Sequence, residues 1–255
     1  MRYLILSDIH SNLAALEAVL AAVAGKSEKA VCLGDLIGYG PDPEEVVSRV
    51  RALNPVVLRG NHDRAGSGLT DAEDFNPSAR RAALWTRDRL SADNLNYVRA
   101  LPVGPLAVED FLLVHGSTFD EDEYVFEAYQ ALETLRQASH RLIFFGHTHL
   151  QGGFVLQDKK LEVLRIRVNE ESLPRSTSAG RAAELRLDPD ARYLLNPGSV
   201  GQPRDGDNRA ACAIYDAAEA MVEFWRVPYD IELTQRRMSE AGLPEALIQR
   251  LSFGR

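Results

Sequence analysis

The sequence predicts an α/β protein: a largely parallel sheet with helices on both faces, followed by a β-rich C-terminal part. Three observations predict it. Apolar runs of strand length alternate with stretches of helical periodicity over residues 2–58. Five apolar runs end in clusters of acidic, amide or imidazole side chains. Beyond Gly152 the helical spacing gives way to short β-like segments. Strands that alternate with helices through right-handed crossovers form a parallel sheet buried on both faces.

Arg2 to Ser7 (RYLILS) reads as a short buried strand. From Asn12 to Ala24, the residues Leu13, Leu16, Val19, Leu20 and Val23 recur at helical spacing, with Ser11 or Asn12 as N-cap and Gly25 as the stop. Lys29 to Leu33 (KAVCL) is the second strand. Pro43 to Leu53 is the second helix, opened by proline and carrying Glu44 and Glu45 in its first turn, where the helix dipole favours acids. Pro55 to Leu58 (PVVL) is the third strand. Asn76-Pro77-Ser78 starts a helix that Ala79 to Leu90 continues, and Ser91 opens another toward Leu101. These two break the alternation, so the insertion at about 66–101 is expected to form a small helical cap on one edge of a site.

Leu106 to Val108 and Phe111 to Val114 read as a strand pair turning at Glu109-Asp110. A helix near Tyr129 to Ala138 and a strand at Leu142 to Phe145 follow. The later β segments are GGFVLQ, KLEVLRIRV, ARYLLN, RAACAIYD and MVEFWRV, the first two joined at Asp158-Lys159-Lys160. Asn169 to Leu187 is polar and reads as a long loop. Ile231 to Leu251 reads as one or two helices with a break at Gly242-Leu243-Pro244. Residues 1–255 are expected to form one domain.

Bulk composition narrows the function. The chain is 45% hydrophobic and 26% charged, ordinary for a globular protein. Its net charge is −8 with no Lys/Arg block, which argues against a sequence-independent grip on nucleic acid. A small anionic substrate stays open, because bound cations reverse the sign of a site. Cys32 and Cys212 sit in apolar, strand-like runs and are expected as buried free thiols of a reducing cytoplasm. The opening run YLIL is too short for a secretory leader, and no segment has the 18 or more apolar residues of a membrane span.

The chemistry lies at the strand ends. The five clusters are Asp8-Ile9-His10, Gly34-Asp35, Asn61-His62-Asp63, His115 and His147-Thr148-His149. They hold five of the six histidines; only His140 lies elsewhere. Ligands of open α/β sheets bind beyond the carboxyl ends of the strands, so the clusters should converge on one crevice. Taken singly, each has a plain reading: Asp-x-His as a turn and helix cap, Gly34-Asp35 as an Asx turn, Asn61-His62-Asp63 as a polar turn. Taken together, they offer imidazole, carboxylate and an amide oxygen without thiolate, which suits manganese, iron, zinc, cobalt or nickel. A buried Asp35 needs a cation or a donor beside it, and an isolated carboxylate can bridge two ions. Two such ions roughly 3.5–4 Å apart clamp the attacking and leaving oxygens of a phosphoryl group and make hydroxide from bound water near neutral pH.

The motifs D-x-H, G-D, G-N-H-D, H and G-H-x-H, in this order, resemble those of the calcineurin-like metallophosphoesterase superfamily. The likeness runs from Met1 to about Arg209. It implies a β-sandwich of two mixed sheets flanked by helices, with the later β segments in the second sheet. It also implies that Asp8, His10 and His149 hold one divalent metal, that Asn61, His115 and His147 hold the other, and that Asp35 bridges. Manganese is the first choice of metal. His62 would touch the substrate phosphate and protonate the leaving oxygen, oriented by Asp63.

The chain departs from the serine/threonine phosphatase branch, which follows G-D with an Asp-Arg-Gly stretch. Here Leu36-Ile37-Gly38-Tyr39-Gly40 follows, with no arginine. The pattern GDLIGYGPDP, the HGS after FLLV and the segment Asn196 to Asp207 are similar to the small bacterial phosphodiesterase branch. Arg59 and Arg204 are candidate phosphate contacts; the alternatives are a solvated strand-end charge and a plain glycine-proline turn. Tyr39, Trp85 and Tyr124 can stack on a nucleobase or pack as ordinary aromatics. The leading function is hydrolysis of a phosphodiester or phosphomonoester, on a small phosphate-ester or nucleotide substrate. A dinucleoside polyphosphate hydrolase is the enzymatic alternative, and it predicts basic and aromatic groups along an extended groove. A non-catalytic interaction module is the third reading, but such modules lose ligands, and every ligand is present here.

Overall fold

Tyr3 and Ile5 point to one side of the first strand and Leu4 and Leu6 to the other, and both sides are buried. That is why the run is continuously apolar instead of alternating. The computed structural model describes residues 1–166 and 180–255. The predicted alternation is present as β1 (Arg2–Leu6), α1 (Leu13–Ala22), β2 (Lys29–Cys32), α2 (Pro43–Leu53) and β3 (Val56–Val57). Asn12 caps α1, its Oδ1 accepting from the N–H of Ala15 at 3.1 Å. The chain after β3 is not a polar turn but a short helix, α3 (Asn61–Gly66). Asp63 sits in its first turn and accepts the Gly60 N–H at 3.0 Å, which starts the helix earlier than the polar sequence suggests.

The middle of the chain holds α4 (Pro77–Arg87) and α5 (Ala92–Arg99), each opened by the residue expected, Asn76 and Ser91. The hairpin β4 (Leu106–Val108) and β5 (Phe111–Leu113) turns at Glu109-Asp110. Next come α6 (Ala128–Gln137), β6 (Leu142–Phe144), β7 (Gly152–Gln157) and β8 (Lys160–Arg165). Part of the predicted 169–187 loop is instead a strand, β9 (Gly180–Arg186), paired with a later strand and packing Ala183 and Leu185 inward. The rest of that loop, and the end of KLEVLRIRV, lie outside the described residues. The chain closes with β10 (Arg192–Asn196), β11 (Ala210–Asp216), β12 (Met221–Val227), α7 (Ile231–Glu240) and α8 (Glu245–Arg250). Among the described residues no helix is long and apolar enough to cross a membrane.

Two six-stranded mixed sheets result, in the orders β3-β2-β1-β11-β12-β9 and β4-β5-β6-β10-β7-β8. The sandwich of two mixed sheets implied by the motif resemblance is present, while the largely parallel sheet read from the strand–helix alternation holds only in part. Parallel pairing joins β1 to β2 and β2 to β3 in one sheet, and β5 to β6 and β6 to β10 in the other. The sheets face each other across a core centred on aromatic rings. Phe111 contacts Tyr3, Tyr215 and Phe144 edge-on, with centroids 5.0, 5.5 and 5.6 Å away. The outer faces are covered by α1 and α2 on the first sheet and by α6 on the second. A further cluster joins α4, α7 and α8 around Tyr39.

Phe111 is fully buried from both sheets, so its loss cannot be filled by one side chain moving. Phe111→Ala is expected to destabilise the fold by about 3–5 kcal/mol. Urea unfolding would show it as a lower midpoint at unchanged slope; a shift of under about 1 kcal/mol would mean that the sandwich interior repacks freely.

Candidate metal centre

The five polar clusters follow β1, β2 and β3 of one sheet and β5 and β6 of the other, so the crevice spans the ends of both sheets. Asp8, His10, Asp35, His147 and His149 all have left-handed φ values, between 49° and 63°. Such values are uncommon outside glycine and most tolerable for Asn, Asp and His. Each turns the chain sharply beyond its strand, a conformation kept only where the surroundings enforce it. Gly60 lies so close to Asp35 that a Cβ would run into the carboxylate.

Two donor groups form. Asp8, His10, Asp35 and His149 make one, Asp35, His115 and His147 the other, and Asp35 belongs to both. Asp35 Oδ2 lies 3.6 Å from His10 Nε2 and 3.5 Å from His115 Nε2. Asn61 Oδ1 is 3.3 Å from His115 Nε2. The structure thus brings together all seven residues expected as ligands.

The ring orientations are set from behind. His10 donates from Nδ1 to the Ile37 carbonyl at 3.1 Å, His115 to Leu33 at 2.8 Å and His149 to Gln202 at 2.6 Å. A carbonyl only accepts, so each Nδ1 carries a hydrogen, and on His10 and His149, which burial keeps neutral, Nε2 turns a lone pair inward. His10 Nε2 and His149 Nε2 then face each other at 3.1 Å. Two lone pairs at that distance repel unless a cation lies between them. Asp8 Oδ2 and Asp35 Oδ2 are buried and accept no hydrogen bond. Orphaned carboxylate oxygens, facing imidazole lone pairs and the absence of thiolate fit a hard-to-borderline divalent ion.

Burial pushes the His10 and His149 rings below the usual imidazole range; Asp35 and Asp8 only partly counter this. It takes His147 down to about 3 and His62 to about 4. His115 differs. Burial acts against its charge, but the Asp35 carboxylate outweighs it and raises His115 to about 10. Burial and the Asp35 charge lift Asp63 to about 7.

A cleft of about 260 Å³ opens beside this centre, with Asn61, His62 and His147 on it. Residues 71–76 of the expected cap supply Asp71, Asp74 and Phe75, while Tyr39 and Tyr124 line other walls. His62 packs against Tyr39 and Phe75, with centroids at 4.2 and 4.6 Å, and its Nδ1 has no partner. Asp63 does not orient that ring. Its oxygens accept the N–H groups of Ile37 and Gly60, because a residue in the first helical turn faces free backbone donors. Arg59 is not on the cleft wall: its guanidinium binds Glu121 at 2.7 Å. Arg204 stays close, bonding Gln202 Oε1 at 3.1 Å with its guanidinium over Tyr39. Trp85, on α4, packs against the cluster that α4 forms with α7 and α8, under Arg89.

The segment Asn196 to Arg204 is a scaffold as well as a turn. Ser199 Oγ donates to the Asp8 carbonyl at 2.7 Å, and Asn196 Nδ2 to the Gly146 carbonyl at 2.8 Å. Sequence reasoning missed the orienting carbonyls, which carry no side-chain signal, and it missed Arg64, Glu121 and Asp122. The acids of STFDEDEY, directly after the HGS motif, were the available sign.

Comparison with known proteins agrees with this geometry. Residues 1–220 match the model of the calcineurin-like phosphoesterase superfamily domain. An uncharacterised protein of Methanocaldococcus jannaschii is 34% identical over 98% of this chain and 97% of its own. A metallophosphoesterase from Sphaerobacter thermophilus is 39% identical, with a TM-score of 0.80 over 100% of this chain and 99% of that one. A hypothetical protein from Pyrococcus horikoshii, 20% identical, shares the fold at a TM-score of 0.77 over 100% and 98% of the two chains.

Two outcomes follow from the donor geometry. With its value raised to about 10, His115 carries a proton at pH 7 in the ion-free chain, and metal must displace it. Calorimetry in buffers of different ionisation heat should therefore show proton release on manganese binding, and affinity that rises between pH 6 and pH 9; release of none would contradict the neutral-ring requirement. The rings held neutral act in the opposite direction. His62 and His147 take up protons on unfolding below about pH 6.5, so ion-free stability should fall as pH drops from there toward 4. Asp35 is shared by both groups. Asp35→Asn should lower the metal content of both, whereas His10→Ala should lower mainly one, as read by elemental analysis.

Proposed function

The chain belongs to the calcineurin-like phosphoesterase superfamily, and on that footing we propose that it hydrolyses phosphodiester or phosphomonoester bonds with two divalent ions, manganese first, and with His62 as general acid. The observation that carries this reading is the pair of donor groups sharing Asp35 at the edge of a cleft that also exposes His62. When bound, the ions neutralise the phosphate oxygens and activate the attacking water. The chain's own residues do the rest.

Asp35 keeps Oδ2 toward both groups because its Oδ1 is engaged by the backbone N–H of His62 at 2.8 Å. The same bond fixes the start of α3, so Asn61 and His62 present different faces from adjacent positions. Asn61 turns toward His115, and His62 lies between Tyr39 and Phe75 on the cleft. Asp63 supports His62 by tying the first turn of α3 to Ile37, not by touching the ring. Burial alone keeps His62 unprotonated near neutral pH. A phosphate beside it supplies the negative charge that favours the protonated ring, so the acid is loaded where the substrate sits. Arg204 lies over Tyr39, which packs on His62, and its charge acts on that ring, so it is the arginine proposed to meet a non-bridging oxygen.

The cleft also bears on the alternative substrate. A dinucleoside polyphosphate needs cations along its groove, but the cap residues on the cleft include Asp71 and Asp74. Arg64 is the one basic residue among the residues lining it, and it is engaged by Glu121 and Asp122. A small ester of low charge fits better than a polyphosphate chain. The intact donor set likewise disfavours a non-catalytic module.

General acid catalysis contributes about 10²–10⁴ in rate, most of it for strongly basic leaving groups. His62→Ala should hold its metal, lose most kcat/KM on alkyl or nucleoside esters, and lose much less on a nitrophenyl ester. Assays across leaving groups of graded basicity, with manganese added, decide this. Loss of metal, or an equal deficit across a series limited by chemistry, would sink the role. Inactivity of the wild type on every ester would sink the function.

A further inference from the structure

His147 is held unlike its neighbours. His10, His115 and His149 donate to carbonyls of segments that continue β2 or brace the centre. His147 donates from Nε2 to the Asp122 carbonyl, 3.0 Å away, on the irregular loop at 114–127. Tyr124 of that loop stacks on the His147 ring with centroids 3.8 Å apart. What orients this imidazole is therefore whatever holds the loop in place.

The loop is gripped by charge. The Glu121 carboxylate receives Arg59 at 2.7 Å and also Arg64, which in turn holds the Asp122 carboxylate. Glu121 and Arg59 are only 11% and 16% exposed, so these pairs are less screened than surface ones. Both arginines come from the segment that carries Asn61, two residues before it and three after. Hence the strand-to-helix segment that presents the Asn61 amide also grips the loop that aims His147.

We propose that Arg59, Arg64 and Glu121 form a clasp that positions His147 and so sets the affinity of the ion held by Asn61, His115 and His147. The inference rests on the two-ion reading of the centre. None of the three touches the ion; they act through the Asp122 carbonyl and the Tyr124 ring. Without the carboxylate of Glu121, Arg59 and Arg64 repel one another and the loop keeps only the more exposed Arg64–Asp122 pair as its anchor. Loss of an outer partner of a metal-bound histidine weakens metal binding by about 10–100-fold.

The test is stepwise manganese binding by the full chain, followed by calorimetry and equilibrium dialysis. Glu121→Gln should weaken one of two binding events about 10–100-fold, leave the other within about 2-fold, and still reach the wild-type stoichiometry at saturation. Asp122→Asn, at the exposed end of the clasp, should act in the same direction but more weakly. His147→Ala should weaken the same event, and Glu121→Gln should add nothing in that background, since the two changes act through one ring. Unchanged affinities in Glu121→Gln, full additivity with His147→Ala, or equal weakening of both events together with a lower Tm of the ion-free chain would overturn the clasp. A wild type that binds a single ion would overturn the two-ion reading instead, while additivity with His147→Ala would still decide the clasp on that ion.

Discussion

Asp35 Oδ2 lies in the interior between His10 and His115, within 3.6 Å of both ring nitrogens and without a hydrogen bond. Everything near it is arranged so that this oxygen stays charged and unpaired. Asp35 Oδ1 is engaged by the His62 N–H, and close approach of Gly60 leaves no room for a side chain on that side. The carboxylate sits well below its usual range: burial opposes the charge, but His115 and His62 overcome it. Such a group is costly to bury alone and becomes favourable when a divalent cation is its partner.

The sandwich makes that arrangement possible. Strand ends from two sheets can approach a common point from different directions, which a single sheet edge cannot offer. The site therefore draws Asp8, Asp35 and Asn61 from one sheet and His115 and His147 from the other. The ring nitrogens converge because backbone carbonyls behind them are fixed by strand pairing and by the Asn196–Arg204 segment. The left-handed backbone at five of the donor residues is tolerated for the same reason: both flanks of each turn are already anchored.

Stability and chemistry are consequently entangled. The rings that burial keeps neutral weaken the ion-free fold in acid, and the protonated His115 places a positive charge beside Asp35. The C-terminal helices contribute from a distance, packing Met238, Leu247 and Leu251 against Tyr39, which in turn contacts His10 and His62. Tyr39 thus joins the outer packing of α4, α7 and α8 to the His62 ring.

The order of β1 to β3 with their helices, the five strand-end clusters and all seven donor residues could be read along the chain. Each depends on a local pattern: apolar runs buried on both faces, proline and asparagine at helix starts, and acid or imidazole directly after a strand. What could not be read depends on neighbours distant in sequence. The parallel run splits into two mixed sheets because β11 and β12 pair beside β1. β9 is a strand only because β12 offers it an edge, and its own polar face reads as a loop. Asp63 reads as a partner for His62, but its two oxygens accept the free N–H groups of Gly60 and Ile37. Arg59 looked available for phosphate, but Glu121, more than sixty residues away, takes its guanidinium. Sequence alone determined which side chains are offered at the strand ends, since residue type and strand-end position are local properties. Tertiary structure decided which partner each one meets, since hydrogen bonds and ion pairs depend on distance in space, and only folding brings residues 121 and 202 to within bonding distance of residues 59 and 149.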